Sequence, residues 1–148
     1  MSLRREAREI AIQTLYAISP DMELQEDEID DISRLVEKKL HQTLEFKNKK
    51  IKDSQTTFIY FLVKNTLIHL NEIDLLIQRF SKNWEFSRIS LIDKCILRIA
   101  TMEIKFSETP GSVVINEAVE IAKDFCGLKS SKFINGILDA ILNRGKQI

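Results

Sequence analysis

The chain has 148 residues, the length of one ordinary domain, and 44% hydrophobic with 30% charged residues is a balance typical of globular proteins. Only 4 glycines and 2 prolines occur, and this scarcity excludes the frequent tight turns that β-sandwiches and β-barrels need. The 22 basic and 22 acidic side chains give a net charge of zero, so any nucleic-acid binding must come from a local basic surface.

The sequence carries no signal of export or membrane insertion. The N-terminus, MSLRREAREI, lacks the apolar stretch of a secretory signal peptide, and no apolar run is long enough to span a membrane. Cys95 and Cys126 stand at no metal-binding or redox-motif spacing, so we expect two reduced thiols. These features predict a cytoplasmic protein without a membrane partner.

The first predicted helix runs from about Leu3 to Ile18, after the capping residue Ser2 and before Pro20. One continuous arc of the helical wheel holds its predicted core face: Leu3, Ala7, Ile10, Ala11, Thr14, Leu15 and Ile18. Three arginines follow one another along a single flank of that arc: Arg4, Arg5 and Arg8. We therefore expect a basic flank outside the core, whose replacement leaves the core intact.

An acidic segment, Asp21 to Asp31, holds seven acids and no base, and is interpreted as a solvated linker into a second helix. That helix carries apolar residues from Ile29 to about Leu44. A cluster of lysines follows it: Lys47, Lys49, Lys50 and Lys52. These lysines form either a solvated loop or a secondary phosphate contact, and the sequence leaves both interpretations open.

A densely apolar helical stretch is predicted from Ser54 to about Phe80, with a bend near Asn71. The next predicted helix, about Ser90 to Phe106, is apolar nearly all round, which is typical of a central, buried helix.

Ser112 and Ser130 are predicted to cap the last two helices, and Gly127 between them suits a left-handed residue after a helix end. Gly136 lies inside the last helix, where glycine costs about 1 kcal/mol relative to alanine. We interpret it as a point where another backbone packs closely. The pattern as a whole predicts an all-α fold of six or seven helices.

No arrangement of residues typical of an enzyme is present. The sequence contains no glycine-rich phosphate loop, no metal-ligand spacing and no cofactor motif. Glu117, Glu120 and Lys123 are spaced as a surface charge pairing on one helix and not as a catalytic pair. The sequence therefore predicts a binding module with no catalytic residue, no metal and no cofactor.

Three stretches of the chain resemble the NusB family, the bacterial transcription antitermination factors. The first is the arginine-rich helix from Arg4 to Tyr16, and the second is Asn83-Trp84 followed by residues 93–104. The third runs from Pro110 through residues 113–125 to residues 132–138. Their order and spacing match the family, and the resemblance spans the whole chain.

The resemblance implies an all-α NusB-like fold, with two packed three-helix bundles and an extra helix, acting as one RNA-binding domain over residues 1–148. It also implies binding of boxA RNA in the leader transcripts of ribosomal RNA. The implied partner is NusE, a small-subunit ribosomal protein, with which the chain would join an elongating RNA polymerase and other Nus factors. Alone, the chain is expected to be a monomer or a weak homodimer.

The residues that the resemblance assigns to RNA lie in the first helix and around the start of the last: Arg4, Arg5, Arg8, Phe125, Lys129, Ser130, Ser131 and Lys132. Arginine forks match phosphate oxygens and stack on bases, and the amides at a helix start favour phosphate. Phe125 is either a base-stacking platform or an aromatic at the edge of the core. Family members often have an acid where this chain has Lys129.

Tyr16 and Asp93 match positions that we assign to the surface for the protein partner. The alternative to RNA binding is a helical protein–protein adaptor, in which Arg4, Arg5 and Arg8 are only a solvated flank.

Overall fold

The computed structural model describes residues 2–18, 29–81 and 85–145, and the regular structure within them is helical throughout. Seven α-helices and one short 3-10 helix are present in these ranges, so the all-α prediction is confirmed. Most of the acidic segment and the Asn83-Trp84 pair lie outside the described residues. None of the helices in the described ranges has both the length and the apolar character that crossing a membrane requires.

The chain divides into two compact units, of which the first is Met1–Ile68. It contains α1 (Leu3–Ala17), α2 (Ile29–Phe46) and α3 (Asp53–Ile68), and each helix contacts the other two. Ser2 caps α1 as predicted, since its hydroxyl oxygen accepts a hydrogen bond from the Arg5 amide at 3.1 Å. The core of this unit is aliphatic: Ile10, Leu15, Val36, Ile59 and Leu62 are buried.

Because α1 packs against both α2 and α3, it is buried over a wider arc than the sequence predicts. Arg8 is only 7% exposed, although it lies on the flank assigned to solvent, and Ile12, one turn further along α1, is buried as well. Leu3, assigned to the core, is exposed instead. The prediction of an exposed flank is therefore wrong for Arg8.

The second unit, His69–Ile148, contains α4 (Leu70–Phe80), a 3-10 helix (Phe86–Arg88), α5 (Leu91–Phe106), α6 (Gly111–Cys126) and α7 (Leu128–Arg144). Helix α5 contacts α4, α6 and α7 and is buried on nearly every side, which confirms its predicted central place. Its start is capped by Ser90, whose hydroxyl oxygen accepts a hydrogen bond from the Asp93 amide at 3.2 Å.

Several helix boundaries differ from the prediction. The stretch predicted as one bent helix is two helices, since α3 ends at Ile68 and α4 begins at Leu70. His69 between them stacks on Phe106, with 3.9 Å between the ring centroids. Helix α6 begins at Gly111 after Pro110, and α7 begins at Leu128 after Gly127, so the prediction that Ser112 and Ser130 cap these helices is wrong.

The glycines separate a correct prediction from a wrong one. Gly127, between α6 and α7, has the predicted positive φ, at +96°. Gly136 is exposed, and a Cβ added there would meet no atom within 4 Å, so our interpretation of a close helix contact at Gly136 is wrong. The close approach lies at Gly111, where an added Cβ would overlap the Leu142 side chain of α7.

Candidate nucleic-acid interface

The basic end of α1 is organised around one aromatic ring of α3. The guanidinium carbon of Arg4 lies 3.9 Å from the centroid of Phe58, and that of Arg8 lies 5.2 Å from the same centroid. Arg4 is exposed, Arg5 is half-buried and Arg8 is buried. The ring therefore orients an accessible guanidinium at Arg4, and a guanidinium held in place loses less conformational freedom when it binds phosphate.

The acid within this arginine cluster is matched by a base from another element. The Nζ atom of Lys49 lies 2.5 Å from Glu6 Oε2, and Gln55 Nε2 donates a hydrogen bond to Glu6 Oε1 at 3.0 Å. The hydrogen bonds from Lys49 and Gln55 lower the pKa of the Glu6 carboxyl below its ordinary value. The negative charge of Glu6 is therefore balanced by Lys49, and the positive charge of the neighbouring arginines is retained.

Gln55 holds this arrangement together from a buried position. Its Nε2 also donates to the Leu3 carbonyl at 3.1 Å, and its Oε1 accepts from the Lys52 amide at 3.0 Å. One side chain thus joins the start of α1, the start of α3 and the turn between α2 and α3. Sequence reasoning missed Gln55 and Phe58, because neither residue carries charge and neither belongs to a recognisable motif.

In the second unit, the exposed side chains around the start of α7 include Leu128, Lys129 and Lys132, with Phe125 at the end of α6. Phe125 is 37% exposed, which favours the stacking-platform interpretation over a fully packed core position. Ser131 is buried and its hydroxyl donates to the Leu128 carbonyl at 2.8 Å. The Ser131 side chain is therefore turned into the protein, and its assignment as an RNA contact is corrected on that ground.

The start of α7 provides backbone donors in place of the Ser131 hydroxyl. Gly127 precedes the helix and supplies no side-chain cap, so the first amides, from Leu128 to Ser130, lack an intrahelical acceptor. Such amides and the positive end of the helix dipole favour an anion. Lys129, second in the helix, adds a side-chain cation to the same end.

Asp93 lies in a recess of about 260 Å³ lined by Arg88, Ile89, Ser90, Lys129, Ser130 and Phe133. The carboxylate is 8% exposed, and its Oδ2 accepts a hydrogen bond from the Ser130 hydroxyl at 3.2 Å. Oδ1 is fully buried and is not open to the recess, and the Cys126 thiol hydrogen-bonds to the same carboxylate. The recess therefore offers a ligand a nearly buried carboxylate with the cations of Arg88 and Lys129 beside it.

The thiols are both held in the protonated form. Burial raises the pKa of Cys95 to about 12, and burial followed by the negative charge of Asp93 raises that of Cys126 to about 11. Neither cysteine is in a disulfide. Thiols with such pKa values are poor nucleophiles near neutral pH, so neither supplies reactive chemistry to the site.

The structure groups the assigned residues by unit. In the first unit, Arg4 and Arg8 of α1 both approach Phe58 of α3, and α1 also carries the half-buried Arg5 and, in its last turn, the half-exposed Tyr16. The second unit brings together the recess around Asp93 and the start of α7. Each unit therefore carries its own candidate surface.

Comparison with known proteins points to one family. The model of the NusB family matches residues 5–143. The transcription antitermination protein NusB of Desulfotalea psychrophila is 41% identical over 145 residues, which cover 95% of this chain and 96% of that protein.

Solved structures agree with the sequence match. NusB of T. maritima superimposes with a TM-score of 0.74 at 30% identity, covering 95% of this chain and 91% of that one. A NusB chain crystallised with NusE and double-stranded RNA has the same TM-score of 0.74 at 26% identity, covering 96% of this chain and 97% of that one.

Proposed function

The chain belongs to the NusB family, and from that premise we propose that it binds the boxA RNA of ribosomal RNA leader transcripts together with NusE. The complex then joins an elongating RNA polymerase with other Nus factors and acts in the cytoplasm. The whole of residues 1–148 serves as one RNA-binding domain. Its work is binding and not catalysis.

The observation that carries this proposal is the arginine surface of α1. Arg4 is exposed and stacked on Phe58, and Lys49 compensates the one acid between Arg4 and Arg8, Glu6. A chain of zero net charge thereby presents locally the cationic surface that phosphate binding needs. The crystal structure of a related NusB with NusE and double-stranded RNA supports RNA and NusE as the ligands.

The α7 start is the second proposed RNA contact. Phe125 offers an exposed ring for base stacking, and Lys129, Lys132 and the first amides of α7 offer charge and donors for phosphate. Ser130 positions Asp93 through its hydroxyl and is not an independent phosphate ligand.

The protein partner is proposed to use the recess around Asp93 and the exposed ring of Tyr16. The Asp93 carboxylate in this recess suits a basic or amide group from NusE, and a half-exposed tyrosine is a common interface anchor. Asp93→Asn keeps an acceptor for Ser130 but removes the charge, so it should weaken NusE binding and leave the fold unchanged.

A salt titration tests the RNA proposal. We expect Arg4→Gln with Arg5→Gln to weaken binding of a labelled boxA oligonucleotide and to flatten the slope of log K against log salt by up to about 1.4 units, two phosphate contacts at about 0.7 each. Arg8 is left in place because it is buried. The matched control is Arg34→Gln with Lys38→Gln, which removes the same charge from exposed positions on α2.

Wild-type slope and affinity in the Arg4/Arg5 variant would reject α1 as the RNA contact. If NusE still bound that variant and the wild type showed no RNA binding at all, the chain would instead be a helical adaptor that contacts only protein.

A further inference from the structure

Phe46 is the most exposed large apolar residue among those described, at 93%, and it is the last residue of α2. A ring left in water contributes almost nothing to the core, so its hydrophobic area is available to a ligand. The six residues after it contain four lysines and no acid: Lys47, Lys49, Lys50 and Lys52. An exposed ring beside several cations is the combination that binds single-stranded nucleic acid.

We propose that this lysine turn, residues 46–52, is a further single-stranded RNA contact, in which Phe46 stacks on a base and Lys47, Lys50 and Lys52 contact phosphates. The inference rests on the proposed function and extends it to nucleotides that flank the boxA motif.

The turn is held in one conformation before any ligand binds. The Lys47 amide donates to the Thr43 carbonyl at 3.1 Å, and the Lys49 amide donates to the Leu44 carbonyl at 3.0 Å. Asn48 adopts a positive φ of +49°, a conformation that asparagine tolerates. At the other end, the Lys52 amide donates to Gln55. A preformed turn loses little conformational entropy on binding.

The same contacts join the turn to the arginine surface within the first unit. Lys49 pairs with Glu6 of α1, and Gln55 links the Lys52 amide to the Leu3 carbonyl and to Glu6. The cations of the turn therefore continue directly from those of α1. Lys49 is occupied by this pairing, and the other three lysines are exposed to solvent.

Beside the turn lies an open cleft of about 540 Å³, whose walls combine the apolar side chains of Leu44 and Ile51 with polar and cationic ones, among them Asn48, Lys49 and Lys50. A cleft of this size leaves space for the flexible RNA backbone on either side of a base that is stacked on Phe46. No acidic residue of the turn itself opposes it; Glu45 borders the cleft and is 3.1 Å from His41.

RNA fits this surface better than a protein partner. A protein interface has a contiguous apolar centre surrounded by a polar rim, whereas Phe46 is followed directly by charged and polar side chains. Stacking on an isolated ring with phosphates on the lysines requires no such apolar centre.

The test compares two fluorescein-labelled RNAs by anisotropy: boxA alone, and boxA extended by uridines at both ends. For the wild type we expect the extended RNA to bind more tightly. Phe46→Ala should weaken binding of the extended RNA by about fivefold or more, the loss expected for one stacked base, while Phe46→Trp retains it. Thermal melting should not change in either variant, since the ring is exposed.

The charge contribution is tested by Lys47→Gln, Lys50→Gln and Lys52→Gln together. This variant should flatten the salt slope for the extended RNA by up to about 2 units. The matched control is Arg34→Gln, Lys38→Gln and Lys64→Gln, which removes the same charge from α2 and α3 roughly 12 Å or more along each helix from the turn.

The outcomes separate this inference from the proposed function. Unchanged binding of the extended RNA by the Phe46 and lysine variants, with loss in the Arg4/Arg5 variant, would overturn the inference and leave the proposed function standing. If the Phe46 and lysine variants lost NusE binding but kept their affinity for RNA, the turn would be a protein contact, and this result would also overturn the inference. If the wild type bound neither RNA, the proposed function would fail and the inference with it.

Discussion

Arg4 and Arg8 contact the same phenylalanine, but Arg4 is exposed to solvent and Arg8 is buried. Arg4 stacks on Phe58 from the solvent side, whereas Arg8 is buried and lies further from the centre of the ring. The aliphatic stem of a buried arginine packs like an apolar side chain, and its removal leaves a gap as well as a lost charge. Two residues of one type, four positions apart, therefore have different roles.

The first prediction follows from this difference. Arg8→Ala should lower the free energy of unfolding by about 1–3 kcal/mol, as other deletions of buried interactions do. Arg4→Ala should lower it by about 0.5–1 kcal/mol, the contribution of an exposed cation–π contact. Urea unfolding of both variants measures the difference, and equal effects would contradict the buried role of Arg8.

The ion pair between Glu6 and Lys49 makes stability depend on pH. The pKa of Glu6 is lower in the folded protein than its ordinary value of 4.5, so folding favours the ionised carboxylate. This contribution is present above the unfolded pKa and is lost as the pH falls through the folded pKa.

We therefore expect Glu6→Gln to reduce the free energy of unfolding at pH 7 by less than about 1 kcal/mol, because the pair is partly exposed. At a pH below the folded pKa of Glu6, wild type and variant should be equally stable in this respect. Urea titrations at neutral and acid pH test this, and a difference that persists in acid would show that the charge of Glu6 is not its source.

At the scale of elements, two glycines of α7 differ in backbone conformation: Gly127, which directly precedes the helix, and Gly136, which lies inside it. Gly127 has φ +96° and ψ 177°, a region that only glycine enters without strain. Gly136 lies in ordinary helical structure, with open space where a Cβ would stand.

Alanine at these two positions should therefore change stability in opposite directions. We expect Gly127→Ala to destabilise the protein by about 1–3 kcal/mol through backbone strain. Gly136→Ala should stabilise it by up to about 1 kcal/mol through helix propensity. Thermal melts of the two variants decide this, and a destabilised Gly136→Ala variant would mean that α7 packs against a neighbour on that face.

At the scale of the whole molecule, positive charge is concentrated locally although the total is zero. The α1 surface and the α7 start each carry cations on an otherwise balanced chain. Under the proposed function phosphate contacts are therefore few, so RNA affinity should be modest and log K should fall by only about 0.7 per contact for each unit of log salt. A protein partner that binds at the same time then has a large effect on the fraction of the protein that is bound to RNA.

The last prediction concerns this coupling. If NusE and RNA bind together, NusE should raise the affinity of the protein for boxA RNA. Because the coupling free energy is reciprocal, RNA should raise the affinity of the protein for NusE by the same factor. Couplings of this kind are typically about 5–150-fold. Anisotropy and calorimetry around the four legs of the cycle measure it. A factor of one on either leg would show that the two ligands bind independently.

The sequence by itself determined the class of fold and the order of the helices, because apolar spacing and capping are local properties. The predicted apolar arc of α1 is buried except at Leu3, and Ser2 and Ser90 cap the helices that they precede. The central place of α5 also followed from its sequence, since a helix without a polar face must be covered on every side. The match of three motifs in order pointed to the family.

Only the tertiary structure decided which side chains of each helix meet a neighbour. Arg8 is buried because α1 has two packing partners, and Gly136 is exposed because the close approach in α7 is made by Leu142 against Gly111. The pairing of Glu6 with Lys49 joins residues 43 positions apart, beyond the reach of any local pattern. Such contacts depend on how helices pack, and a helical period gives the faces of a helix without their neighbours.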